Sequence, residues 1–206
     1  MIAYKGFSKD LTSVLGNGIK ERCTFEAGKT YTEEESKTVR SGFHCCENPF
    51  DCLQHYAMDG KNRFFRIEAA GDIDEAGDEK IACTQMTLEK ELTPLEFALA
   101  GMQYIIAHPE RDGWQQDRWN VIVKQDKAEI SKNHDVMIAI ARGEKPKVKA
   151  PAGAIMGLLI DGEIEDGVPG IVGAKVWIQK AEHAGKWCYM DDAGKVREVN
   201  DEEKAD

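Results

Sequence analysis

The spacing of apolar positions changes along the chain, and each change marks an element. Residues 2–7 (IAYKGF) read as an opening strand, and residues 9–18, with Asp, Ser, Asn and two glycines, read as a turn. Residues 22–25 and 29–32 flank Glu26-Ala27-Gly28 and are predicted to form a hairpin. Residues 41–47 (SGFHCCE) are strand-like and run into Asn48-Pro49-Phe50-Asp51. Asn is a preferred N-cap, Pro suits the first helical position and an acid favours the positive end, so a helix is predicted from Asn48. Phe50, Leu53 and Ala57 would face a core, Asp51, Gln54 and Asp59 would face water, and Tyr56 sits beside the apolar stripe. Residues 63–70 (RFFRIEAA) form a predicted strand with Phe65, Ile67 and Ala69 on one face, residues 71–78 an acidic turn, and residues 80–88 another strand. Thr93-Pro94-Leu95-Glu96 carries a capping-box pattern and opens the strongest predicted helix, which ends near His108-Pro109.

Beyond Pro109 the pattern shortens. Residues 110–119 are polar with two tryptophans and read as a connector, and from residue 120 short β-type runs alternate with turn signals such as Asp161-Gly162 and Asp191-Asp192-Ala193-Gly194. The predicted fold is α+β. A module over residues 1–109 has a small twisted sheet and two helices, a mostly β module spans 120–200, and 201–206 is an acidic tail. Short strands with open edges suit a homo-oligomer or a protein partner.

Composition narrows the function classes. The 206 residues carry 27 Lys plus Arg against 37 Asp plus Glu, a formal charge of -10, which disfavours a phosphate backbone as partner, so no nucleic acid is expected. No window is apolar for long enough to span a bilayer, so a soluble protein with no membrane partner is expected. The first nine residues lack a secretory pattern and the six cysteines are scattered, which points to free thiols in a reducing cytoplasm. Phosphate-loop, dinucleotide-fold, zinc-protease and hydrolase-elbow motifs are all absent.

His44, Cys45, Cys46, Cys52 and His55 crowd into twelve residues. A tetrahedral set from His44, Cys46, Cys52 and His55 is conceivable, but paired CxxC knuckles are missing and zinc is not expected. Cys46 or Cys52 near a helix start, with His44 or His55 as base, is the weaker thiol-nucleophile reading. Acid pairs in the second module do not follow the spacing of a calcium loop. Trp114 and Trp119 with Arg111 and Arg118 read equally as a partner patch or as packing.

Two stretches carry a resemblance. Tyr4-Lys5-Gly6-Phe7 and Gly42-Phe43-His44-Cys45-Cys46-Glu47 resemble the YKGF and GFHxCE signatures of an uncharacterised domain family from phages and prophages. More distantly, the first module resembles the NAD-binding half of ADP-ribosyltransferases: Lys5-Gly6 falls on that family's first motif, Gly42-Phe43-His44 on its second, and Tyr56 on its nicotinamide-stacking position. This resemblance implies an ADP-ribosyltransferase-like sheet, NAD as a cofactor, and a binding site of Lys5, Gly6, His44 and Tyr56. Cleaving a glycosidic bond to nicotinamide builds positive charge, so a carboxylate is also needed, and Glu79 or Glu68 would supply it. The departures are Lys5 where that family has histidine, and no signature for the final glutamate. The alternative is a non-enzymatic assembly or interaction protein in which these residues are structural. Both readings require one observation: whether Lys5, His44 and Tyr56 meet in a single hollow.

Overall fold

The computed structural model describes residues 1–13, 23–37, 41–75 and 80–199. Glu79, the acidic tail, and much of the turn expected over residues 9–18 lie outside the described residues. The chain divides into two compact units, Met1–Gly101 and Met102–Asp206. Strands dominate both, with one α-helix and two short 3-10 helices among the described residues, so the architecture is α+β only in the broad sense. Among the described residues, no helix is long and apolar enough to cross a membrane.

The first unit contains β1 (Ile2–Ser8), β2 (Thr12–Ser13), β3 (Cys23–Thr24), β4 (Thr30–Thr32), β5 (Phe43–Cys45), β6 (Asn62–Glu75) and β7 (Ile81–Leu92). β1 pairs antiparallel with β6 and β6 with β7, while β4 and β5 pair with β7. Just after β5, Cys46 bridges to Tyr4 through reciprocal backbone hydrogen bonds of 2.7 and 2.8 Å. That bridge returns the sheet to β1, so β1, β6, β7 and β5 close into a small barrel. Strand alternation sends Ala3, Phe7, Phe65, Ile67, Phe43 and Cys45 into its interior. Outside, Phe64 and Phe50 pack on Phe97 with ring centroids 4.8 and 5.7 Å away. Each fully buried aromatic of this kind contributes about 1.5–3 kcal/mol of transfer free energy.

Three local expectations change, the first being the hairpin predicted from residues 22–25 and 29–32: β3 pairs with β2 and β4 with β7 instead. The Asn48 cap forms as read, its Oδ1 accepting the Phe50 N–H at 3.1 Å, but it opens a 3-10 helix, Pro49–Gln54, instead of an α-helix. Five of its six residues are buried, Asp51 included, so the segment has no wet face and stays a single tight element. The turn expected from residue 71 is also absent at its start. β6 continues to Glu75, bending at a bulge between Ala70 and Ile73 where Gly71 takes φ 76°.

The helix α1 (Pro94–Ala107) begins as the sequence indicates. Glu96 Oε2 accepts the Thr93 N–H at 2.9 Å, and Thr93 Oγ1 accepts the Glu96 N–H at 3.3 Å, a reciprocal capping box. The boundary between the two units falls within this helix.

In the second unit are β8 (Gln116–Arg118), β9 (Val121–Glu129), β10 (Ile138–Lys149), β11 (Ile155–Glu163), β12 (Pro169–Ile178), β13 (Cys188–Met190) and β14 (Val196–Glu198). β8 lies inside the stretch read as a connector, where it pairs with β9. β9, β10 and β11 are parallel neighbours whose register aligns Val121, Ile138 and Ile155, so successive rungs begin 17 residues apart. Parallel strands joined by connections this short must coil, rung on rung, in the manner of a solenoid. The narrow interior accounts for its small side chains: Ala128, Ala139, Ala141, Ala150 and Ala154 are all fully buried there.

Candidate functional site

The predicted ligand residues of the first unit lie where β1, β5 and the 3-10 helix approach one another. Lys5 is opposite Phe65 in the β1–β6 register and shares the face of Ala3 and Phe7, so its side chain enters the barrel. It is 9% exposed. Its Nζ donates to the His44 carbonyl at 2.5 Å and lies 5.5 Å from the Phe7 ring centroid. The amine thereby ties β1 to β5 one residue from the Tyr4–Cys46 bridge, at the seam of the barrel. Burial pulls its pKa below that of a free lysine, and neighbouring Cys45, Cys52 and Cys46 oppose that pull.

Gly6 faces the other way. A Cβ built on residue 6 would lie 2.5, 2.6 and 2.8 Å from Tyr56 Cδ2, Cγ and Cβ, so the Tyr56 side chain rests directly on the Gly6 backbone. Only glycine leaves room for that approach. The 3-10 helix aims the ring: His55 and Tyr56 both donate their N–H to the Cys52 carbonyl at 3.0 Å, which ends the helix and turns Tyr56 toward β1. Tyr56 and Gly6 therefore meet on the outside of the barrel, while Lys5, next in sequence to Gly6, points inside.

His44 alternates with Phe43 and Cys45, both interior, and so takes the outer face. It is half-buried, and its pKa falls to about 4, first through burial and then through the positive charges of Lys80 and Lys5. The imidazole is neutral at physiological pH. Glu68 is exposed on the outer face of β6, opposite Ile2. Gly6 is opposite Phe64, four residues from Glu68, a separation of about 13 Å along the strand. The structure thus unites Gly6 with Tyr56 and joins Lys5 to the His44 backbone, but it separates Lys5 from Tyr56 and keeps Glu68 away from both.

Four of the six thiols lie in two pairs. Cys45 hydrogen-bonds Cys83 across β5 and β7, and Cys46 hydrogen-bonds Cys52. The pKa values of Cys45 and Cys52 are raised, by the hydrogen bond to the partner thiol and then by burial. Cys45 and Cys52 are therefore held as thiols and make poor nucleophiles, whereas the hydrogen bond from Cys45 lowers the pKa of Cys83. Among the described residues, no three His, Cys, Asp or Glu side chains gather in a metal-binding group. The thiol pairing escaped sequence reasoning because Cys83 reaches Cys45 only through the β5–β7 register. The inward direction of Lys5, by contrast, could be read from its even spacing with Ala3 and Phe7.

These features all fall in the first hundred residues. Residues 1–100 match DUF7666, a domain of unknown function. The matched segment contains the barrel, its Lys5 seam and the Gly6–Tyr56 contact, and the signature-like stretches around Tyr4 and Gly42 lie within it. No curated protein and no solved structure matches the chain.

Proposed function

We propose that the protein is a non-enzymatic assembly or interaction protein, in which the DUF7666 barrel is a rigid module and its motif residues are structural. The observation that supports this reading is the division of labour at β1. Lys5 spends its amine on a backbone carbonyl inside the barrel, and Tyr56 fills the space over Gly6 on the outside. The YKGF residues then serve barrel closure, and the GFHCCE residues supply the opposing seam. An accessory role in a phage or prophage is the setting that the resemblance of these stretches implies.

A second reading keeps a nucleotide site, with NAD as ligand in an ADP-ribosyltransferase-like or degenerate module. What favours it is that His44, Gly6 and Tyr56 share the outer face, with His44 uncharged and Tyr56 half-buried at the end of the 3-10 helix. In that reading Tyr56 offers the stacking surface, and Glu79 or Glu68 the carboxylate. One experiment separates the two. A ligand that prefers the native state raises the melting temperature in proportion to ln(1 + [L]/Kd). The assembly reading expects no change in melting temperature as NAD is raised into the millimolar range. A rise that Tyr56→Ala abolishes would overturn it in favour of the nucleotide site.

A further inference from the structure

β12 pairs with β11 on one side, and no described strand covers its other side. Gln179 N–H bonds the Ala154 carbonyl at 2.8 Å, toward β11, whereas Ile155 N–H bonds the Met137 carbonyl at 2.8 Å, on the far side of β11. Backbone groups alternate along a strand, so Gly173, Lys175 and Trp177 aim theirs at β11, and Ala174, Val176 and Ile178 aim theirs outward. The side chains of these outward residues continue an apolar row from Val172, with Val172 and Ile178 52% and 56% exposed. Edge strands are ordinarily blunted by proline, charge or bulges. Here Pro169 and the register shift opposite Ile160/Asp161 protect the first half of β12, and the second half carries only Lys175.

We propose that the second half of β12 pairs antiparallel with its counterpart in a second copy of the chain, about a two-fold axis through Val176. This deepens the assembly reading by naming the partner. Backbone direction and charge select the register. An axis through Ala174 would require outward groups at Gly170, but the Ile164 N–H bond to the Val168 carbonyl, at 2.9 Å, fixes Gly170 toward β11. An axis through Lys175 would set two ammonium groups against each other. An axis through Val176 places Val176 on Val176 of the second copy and Ala174 on Ile178 of the second copy, with all their outward backbone groups paired. On the opposite face it sets Lys175 beside Trp177 of the second copy, a cation against an indole, at each end of the pairing. Such a short seam buries less than a standard interface, so the dimer is concentration-dependent.

Sedimentation of the full chain over a concentration series should show a 23.0 kDa species moving toward twice that mass. Val176→Pro removes an outward N–H while sparing the β11 ladder, and it should hold the protein monomeric with an unchanged tryptophan-fluorescence melt. Val176→Cys tests the axis without depending on proline. Opposed residues of a hydrogen-bonded pair have Cα atoms about 5.5 Å apart, within disulfide reach, so mild oxidation should give a covalent dimer that Val172→Cys does not give. A monomer at every concentration with no selective Val176→Cys cross-link overturns the proposal, and so does a dimer that Val176→Pro leaves intact. Loss of this dimer together with no response to NAD leaves the assembly reading in place with another partner. A response to NAD removes that reading and leaves the dimer to its own data.

Discussion

The contact between Gly6 and Tyr56 can be tested as a thermodynamic cycle. Gly6→Ala puts a methyl group 2.5–2.8 Å from three Tyr56 atoms. One of these is the Tyr56 Cβ, which a rotation of the ring does not move away, so either β1 or the end of the 3-10 helix must shift. Overpacking of this kind costs about 2 kcal/mol. Tyr56→Ala removes a half-buried ring, and about half the usual loss for a buried aromatic is again about 2 kcal/mol. If the two sites were independent, the double variant would lose about 4 kcal/mol. In the structure the new methyl occupies space that the lost ring vacates, so the double variant should lose only about 2–2.5 kcal/mol, a coupling of about 1.5–2 kcal/mol. The readout must report on the first unit, and the tryptophans at 114, 119, 177 and 187 do not. Pulsed thiol labelling of buried Cys45 and Cys83 across a urea series, resolved by peptide mass spectrometry, does. Additivity within about 0.5 kcal/mol would refute the claim that the ring rests on Gly6.

Three further outcomes follow from the same contacts. His44 has a folded pKa of about 4 against 6.5 unfolded, so the unfolded chain binds the extra proton between those values and stability falls as pH drops from 6.5 to about 4. With the ring only half-buried, solvent screening reduces the effect to about 1–2 kcal/mol, and His44→Gln should flatten that limb of the urea-midpoint profile. Lys5 also has a lowered folded pKa, so its contribution runs in the same direction at high pH: wild-type stability should rise relative to Lys5→Met as pH climbs toward 10.5. A constant gap between the two proteins would mean that the amine is not buried. In the second unit, a Cβ on Gly157 would lie 2.8 Å from Ile140 Cγ1 and 2.9 Å from Met102 Sδ, so Gly157→Val should lower the unfolding free energy read by tryptophan fluorescence by about 1–3 kcal/mol.

What the sequence determined by itself was local. Alternation placed Phe65, Ile67 and Ala69 on the interior face of β6, because a strand's side-chain period is two wherever it lies. Asn48 and the Thr93–Glu96 box marked the starts of their elements, because a capping hydrogen bond is made within four residues. Tertiary structure decided the rest. The Tyr4–Cys46 bridge joins residues 42 apart and converts a sheet into a barrel, and that closure turned Lys5 from a candidate ligand group into a seam. The 3-10 helix replaced the expected α-helix because burial on nearly every side removed the polar face that an amphipathic helix needs. The coil of β9, β10 and β11 left no repeated motif, since its narrow interior asks only for small apolar side chains at aligned positions. Which groups share a site depends on strand register and on which face each residue takes, and long-range pairing fixes both.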